Sequence, residues 1–396
     1  MKILVVLPRF PYPLDKGDKL RAYHQIRVLS QHHEVYLFAV SHQRVPEEHL
    51  EQLRPYCKDI CLVRSPRLAN YKNVLRNYLY AKSLQIGYWD SKRARNRYKD
   101  FERQVQPDVL YSQMVRTMTW VSRSPVPKVM DFQDALSMNT ERRMDCSRGL
   151  WHYVLHFEFK MLRSSEYNSF HIFDALTIIS DTDSEAIPHK KNGSVRIIPN
   201  GVDFDYFQPR PEVEKDYDVV FCGNMSYEPN VRAAHFLIEK VMPCVWQQRP
   251  RTRVLLAGTS PKASVCRLAS DRVTVSGWVP DIRQSYARAR VFAAPMQTGS
   301  GLQNKLLEAM SMQVPCVTTP IANDSLHAVE GRDILVASDA AQFARHLLDL
   351  LDSSERRLTM AQAGCEFVHR NYSWERFGQL LEEVLQEVVE KKKERG

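Results

Sequence analysis

The strongest constraint in this chain is a pattern that occurs twice: short apolar, β-branched runs alternating with longer segments of helical period. In the first half, residues 2–7, 35–40, 60–63, 109–112, 128–132 and 175–179 read as strands. A Pro/Gly/Asp-rich loop at 8–19 leads into a helix expected from about 20 to 31, and a long helical stretch runs around 150–170. In that stretch Trp151, Val154, Leu155, Phe157 and Met161 are expected to be core or lid. Apolar runs separated by helices are the signature of βαβ units, whose parallel strands are covered on both faces.

After Pro199-Asn200-Gly201 the irregular stretch 202–218, with its Asp and Pro residues, suits a hinge or linker better than a packed element. A second series follows, with strands at 219–222, 254–257, 273–276, 291–294, 316–319 and 334–336 and a helix near 231–247. Helices at 340–351, 354–372 and 374 to about 393 close the chain. At 396 residues the length suits about two cores. The expected domains are 1–200, 201–373 and a C-terminal helix, 374–396, that returns to the first. Two Rossmann-like halves of this kind face a central cleft, where ligands bind.

No apolar run approaches the roughly 18 residues that span a bilayer, and residues 3–7 are too short for a signal peptide. A cytoplasmic chain, or one peripheral to the inner face of the cell membrane, is expected. The eight cysteines are scattered, and the closest pair, Cys57 and Cys61, has no His or further Cys beside it, so reduced thiols are expected rather than a metal site.

Charge is uneven. Residues 1–200 carry 31 Lys/Arg against 21 Asp/Glu, while 201–396 carry 24 against 25, so the whole excess of +9 belongs to the first half. It concentrates at 67–103, where Lys92, Arg93, Arg95 and Arg97 mix with Tyr71, Tyr78, Tyr88 and Trp89. Such a stretch fits an anionic membrane surface or anionic acceptor, or equally a solvated helical face. Nucleic acid is disfavoured because no binding motif accompanies the charge.

The segment 298–317, TGSGLQNKLLEAMSMQVPCV, reads as a glycine-rich turn, a short helix and a buried strand. Gly299 and Gly301 let the backbone approach a ligand, and the helix presents unpaired N–H groups. At about 100° per residue, Leu302, Leu306, Ala309 and Met310 share one face, while Asn304, Lys305 and Glu308 share the opposite one. The bland alternative is an amphipathic helix with a solvated Lys305–Glu308 pair. The flanking strands place the polar stripe at the carboxyl edge of a parallel sheet.

Four motifs together resemble family 4 of the retaining glycosyltransferases, of GT-B fold. They are Pro11 to Gly17, Ile198 to Asp203, Gly277-Trp278-Val279-Pro280-Asp281 and Gly301 to Pro315, and the similarity spans nearly the whole chain. The GLQNKLLEAM run and Phe221-Cys222-Gly223-Asn224-Met225 with Pro229-Asn230 point to the branch found beside bacterial exopolysaccharide and protein-sorting systems. The resemblance implies transfer of a hexosyl group, with retained configuration and without a metal or other cofactor, from a nucleotide diphosphate sugar to a glycan or lipid-linked hydroxyl.

By the same resemblance Glu308 bonds the donor ribose, and Gly17, Gly223, Asn224, Ser300, Gly301, Leu302, Gln303 and Asn304 line the donor. Gly277, Trp278 and Val279 hold the base. The chain departs from the family in three places. Ser300 stands where a glutamate is usual; Asn224 and Pro229 stand where Arg and Lys are usual; Asp131 to Asp134 lacks the usual His. Lys305 is therefore expected to carry the leaving-group charge, with Arg9 and Arg232 as lesser helpers. Asp134 or Gln133 is expected to contact the sugar, with a helix N-cap as the other reading of Asp134. The rivals are a non-catalytic sugar-nucleotide-binding scaffold, which the departures make plausible and the retention of Glu308, Lys305 and the glycines argues against, and a sugar-nucleotide epimerase or hydrolase on the same fold.

Overall fold

The computed structural model describes residues 1–66, 70–74, 78, 82–145, 147–298 and 302–395. It comprises two compact units, Met1–Pro199 with Trp374–Gly396, and Asn200–Ser373.

The first unit is built on a seven-stranded parallel sheet of order β3-β2-β1-β4-β5-β6-β7. Its strands are β1 Lys2–Leu7, β2 Glu34–Ser41, β3 Asp59–Arg64, β4 Val109–Gln113, β5 Lys128–Asp131, β6 Ala175–Ile178 and β7 Arg196–Ile197. Ile3 to Leu7 are almost wholly buried because β1 pairs with β2 on one side and β4 on the other, while helices cover both faces. The strand order reverses at β1, which opens a crevice beyond its carboxyl end.

The second unit repeats the design with six parallel strands, ordered β10-β9-β8-β11-β12-β13. They are β8 Tyr217–Cys222, β9 Val254–Ala257, β10 Val273–Gly277, β11 Ala289–Ala294, β12 Cys316–Thr318 and β13 Leu335–Val336. Here the order reverses at β8. The helix Trp374–Arg395 packs on the helix Gly17–Leu29 of the first unit. Gly378 permits that approach, since a Cβ there would stand 2.2 Å from Val28 Cγ1, and Trp374 stacks on His24 at 4.7 Å.

Several local expectations need correction. The first helix begins at Gly17, not near 20, so Gly17 opens a helix instead of sitting in a loop. The helix near 231–247 begins at Glu228 and passes through a wider, π-helical turn at Leu237–Val241. The stretch 202–218 is not a free linker: Val202 is buried, Phe204 stacks on His369 at 3.9 Å, and β8 has begun by Tyr217.

The long helix Leu150–Ile172 turns inward Leu155, Glu158, Leu162, Glu166 and Ser169. Its inward face carries two carboxylates because each satisfies the start of another helix. Glu158 accepts from Leu84 N (2.6 Å) and Gln85 N (3.1 Å), and Glu166 accepts from Ser137 N (2.9 Å). Trp151, expected in core or lid, is 57% exposed beside Leu150 and Tyr153 at 82% and 72%, which excludes the core.

The basic stretch resolves in part toward the solvated-face reading. In the helix Lys92–Val105 the apolar residues Ala94, Tyr98, Phe101 and Val105 enter the core, while Lys92, Arg93 and Arg97 face water. Arg67, Leu75, Arg76, Leu79 and Tyr80 lie outside the described residues. The cysteines among the described residues are free thiols, Cys57 and Cys61 included. Among the described residues no helix is long and apolar enough to cross a membrane, and no group of three or more His, Cys, Asp or Glu is placed to hold a metal ion.

Candidate functional site

In the second unit the loops beyond β8, β9, β10 and β11 converge at the carboxyl edge of the sheet. The helix Asn304–Ser311 follows β11, and the threonines at and just past the end of β12 fix the approach to it: Thr318 Oγ1 donates to Ala294 O (2.9 Å) and Thr319 Oγ1 to Met296 O (2.7 Å). Gly299, Ser300 and Gly301, the glycine turn and the position of the missing acid, lie outside the described residues. Leu302 is buried just before the helix, and Gln303 is the residue at its N-cap position. Asn304 Oδ1 accepts from Asn200 Nδ2 at 3.2 Å, which ties the helix start to the Pro199-Asn200-Gly201 segment.

Lys305 and Glu308 do not form the simple solvated pair of the bland reading. Lys305 Nζ donates to Asn230 Oδ1 at 2.5 Å, lies 3.7 Å from Met296 Sδ and sits 5.2 Å from the centre of the Phe221 ring. Burial pulls its ammonium down to about 8, against the attraction of Glu308. Asn230, in the first turn of the helix Glu228–Phe236, in turn donates to Asn224 O at 3.0 Å, so Lys305 is linked through it to the loop after β8. Asn224 lies in that loop and Pro229 in the first turn of that helix, the two positions where the resemblance led cations to be expected.

Glu308 Oε2 accepts the hydroxyl of fully buried Tyr286 at 2.7 Å. Burial pushes the Glu308 carboxyl up, while that hydrogen bond and Lys305 oppose the rise. A carboxylate has further lone pairs for a ligand hydroxyl beyond this one bond.

The glycines here answer to packing within the protein. A Cβ on Gly223 would stand 2.7 Å from Asn230 Nδ2, and one on Gly258, at φ +138°, would stand 1.8 Å from Gly223 O. Gly223 N donates to Ala257 O (2.9 Å) and Gly258 N to Gly277 O (3.1 Å), lacing the three loops edge to edge. Asn224 spends its side chain locally, accepting from Ser226 N (2.9 Å) and Ser226 Oγ (2.7 Å). Gly277 adopts φ +67°, Trp278 is 68% exposed and Val279 is half-buried. Asp281, which ends that motif, caps the next helix by accepting from Arg283 N at 3.0 Å. Arg232 pairs with Glu228 on an exposed helical face.

The first unit has its own polar centre beyond β1, β4 and β5. Buried Arg21 grips buried Asp131 through Nε–Oδ2 at 2.6 Å and Nη2–Oδ1 at 3.2 Å. Tyr111, Gln25, Gln113 and Gln133 continue the network, with Gln133 Nε2 to Gln113 Oε1 at 3.0 Å and Gln113 Nε2 to Gln25 Oε1 at 2.7 Å. Just beyond the adjacent strands β4 and β5, Met114 and Gln133 hold φ +64° and +62°. Strain in non-glycine residues persists where surrounding structure enforces it, often at functional sites.

Asp134 follows Gln133 and is raised to about 7 by burial first and then by Asp183 and Asp18. The donors at the start of the next helix go elsewhere: Ala135 N to Asp183 Oδ1 (3.2 Å) and Ser137 N to Glu166. The N-cap reading of Asp134 therefore loses its basis. Arg9 pairs with Asp18 at 2.9 Å. Gly17 has open space where a Cβ would be. Arg116 donates to Gln85 Oε1 (2.6 Å), while its buried Nε has no hydrogen-bond partner among the described residues.

Asn230, Tyr286, Gly258, Met114 and the Arg21–Asp131 pair were not singled out from sequence. Only the Pro229-Asn230 dipeptide offered a signal, and it suggested kinship, not a role.

Residues 216–353, within the second unit, match the family described as Glycosyl transferases group 1. An uncharacterized 44.6 kDa protein in the cps region of Klebsiella pneumoniae is 21% identical over 391 residues, covering 94% of this chain and 96% of that one. A GDP-mannose-dependent monoacylated alpha-(1-6)-phosphatidylinositol monomannoside mannosyltransferase of Corynebacterium glutamicum is 29% identical over 211 residues. That match covers 48% of this chain and 55% of the relative, about half of each. Among solved structures, sucrose-phosphate synthase of Thermosynechococcus elongatus superposes with a TM-score of 0.72 at 13% identity, covering 99% of this chain and all of that one. The chain thus has the two-domain GT-B fold, and its second unit carries a glycosyl transferases group 1 segment.

Proposed function

We propose that the chain is a metal-independent, retaining glycosyltransferase of family 4. It moves a hexosyl group from a nucleotide diphosphate sugar to a hydroxyl of a glycan or lipid-linked acceptor in cell-surface polysaccharide synthesis. In this reading residues 201–373 hold the donor and residues 1–200 the acceptor. The observation that carries the reading is the reach of Lys305 Nζ to Asn230, in the first turn of the helix Glu228–Phe236, beside Pro229 where a cation was expected. Departure of a nucleoside diphosphate develops negative charge on phosphate, and a preorganised cation in a desolvated setting stabilises it strongly. Glu308, oriented by Tyr286, takes the ribose hydroxyls. Retention without a protein nucleophile requires the acceptor to attack from the face the diphosphate leaves, so placement of the acceptor supplies the remaining assistance.

Asp134 is the group of the first unit suited to receive a sugar or acceptor hydroxyl, because a carboxyl poised near neutrality can accept or hold a proton. Exposed Leu150, Trp151 and Tyr153 support contact with a membrane surface at the inner face. A thermal-shift screen with UDP, GDP, ADP and their sugars tests the reading, since a bound ligand raises apparent stability by mass action. Stabilisation by one nucleotide series, reduced in Lys305→Ala, is expected. No shift with any of them would overturn the proposal, and donor consumption without acceptor would turn it toward an epimerase or hydrolase.

A further inference from the structure

A cavity of about 560 Å³ opens in the first unit, on the β2 side of β1. Arg9, Lys16 and Lys19 from the segment after β1 and Arg44 from the segment after β2 line it, and no carboxylate does. Two of the four cations are already answered by neighbours: Lys19 pairs with Asp15 at 2.7 Å and Arg9 with Asp18 at 2.9 Å. Lys16 and Arg44 have no carboxylate partner among the described residues. The cavity thus holds two positive charges in excess.

Its side wall is aromatic and firmly held. Trp89 stacks on His42 at 4.6 Å, and Tyr88 meets both rings edge-on. Both residues belong to the helix Leu84–Trp89, whose start is anchored by Glu158. Tyr12, also in the lining, packs against His49 at 5.0 Å. Cations without partners beside aromatic rings suit a ligand with an anionic end and a face of C–H groups.

We propose that this cavity seats an acceptor that bears a phosphate group, with the phosphate on Lys16 and Arg44 and the adjoining sugar ring against Tyr12 and Tyr88. A phosphomonoester carries about −1.5 to −2 at neutral pH, which matches two unanswered cations where a single carboxylate would not. The size fits one sugar phosphate, as ordinary ligand pockets run from about 300 to 1,000 Å³. This inference rests on the transferase reading for the word acceptor, but the cavity's ligand class can be tested without it.

The test is calorimetric titration of glucose 1-phosphate, glucuronate and glucose into the wild-type chain and into Lys16→Ala/Arg44→Ala, Lys16→Arg/Arg44→Lys and Lys305→Ala. Glucose 1-phosphate is expected to bind at least about tenfold more tightly than glucose and more tightly than glucuronate. That preference should vanish in the alanine pair and survive in the charge-preserving pair and in Lys305→Ala. Equal binding of the three sugars overturns the proposal, as does a preference that persists in the alanine pair. Loss of the preference in Lys305→Ala alone also overturns it, because the phosphate would then occupy the second unit. If the preference follows Lys16 and Arg44 while no nucleotide stabilises the protein, the cavity inference stands and the transferase reading falls.

Discussion

Lys305 offers the sharpest test of the donor site, because the structure gives it both a cost and a ligand-dependent way to relieve that cost. Burial lowers its ammonium from the usual 10.5 to about 8. At about 1.36 kcal/mol per unit this is roughly 3 kcal/mol by which the folded state resists the charge. The sign follows from the depressed value. Below pH 8 both folded and unfolded chains carry the proton and the full cost is present. Between pH 8 and 10.5 the folded chain sheds the proton first, so the cost fades as pH rises.

A nucleoside diphosphate set against Lys305 pairs the charge and pushes its pKa back up. Binding above pH 8 must then take up a proton, and at pH 9 affinity should be about tenfold weaker than at pH 7. Calorimetry of the stabilising nucleoside diphosphate in two buffers of different ionisation enthalpy counts that proton directly. Lys305→Met removes the charge while keeping most of the side-chain volume. It should bind the nucleotide at least about tenfold more weakly, take up no proton, and lose the pH dependence. Net proton uptake below a tenth of a proton at pH 8.5 in the wild type, or a Lys305→Met affinity within threefold of wild type, would refute the assignment.

Three further outcomes are expected. Asp134→Asn should stabilise the protein at pH 8, by at most about 4 kcal/mol, while leaving it nearly unchanged at pH 4: the folded-state value near 7 makes the charge costly only once pH climbs above the usual carboxylate range. Denaturant midpoints at the two pH values check this, and turnover should fall even as stability rises. Tyr286→Phe should cost about 1–3 kcal/mol and weaken nucleotide binding, since Glu308 loses the buried hydroxyl that lowers its pKa; melting curves with and without nucleotide read both effects. Gly258→Ala should destabilise by more than about 3 kcal/mol, because its Cβ would overlap Gly223 O at 1.8 Å and φ +138° excludes side chains; a loss under 1 kcal/mol in urea unfolding would show that the loop yields freely.

The strands were legible because central parallel strands bury both faces and must be written in continuous apolar residues. Ile3 to Leu7 and Val254 to Ala257 leave little choice. The Lys305 and Glu308 face was legible from helical period alone. Their partners were not, since Asn230 and Tyr286 come from elements 75 and 22 residues away and only folding joins them. Gly223 read as space for a ligand, yet Asn230 and Gly258 are what crowd it. Of the residues of Leu150–Ile172 expected in core or lid, Leu155 is buried and Trp151 exposed, because apolarity is a poor guide where Glu158 and Glu166 are needed to complete other helices. The acids that act on Asp134 left no periodic trace, as Asp18 and Asp183 come from the first turns of two helices far apart in the chain.

The path of the chain through its two units has a bearing on how the protein is made. The second unit is an insertion: residues before it and residues after it build the first, and the two crossing points lie side by side, with Val202 N donating to Tyr372 O at 2.9 Å. On a ribosome the seven strands of the first sheet emerge early, but the helix that covers Gly17–Leu29 emerges only after the whole second unit. Val28, His24 and the strands β4 and β5 wait for Gly378, Trp374 and their neighbours while the whole second unit is synthesised and folds. The half made first is therefore the half completed last, and release of the nascent chain before residue 374 would yield a finished second unit joined to an unfinished first.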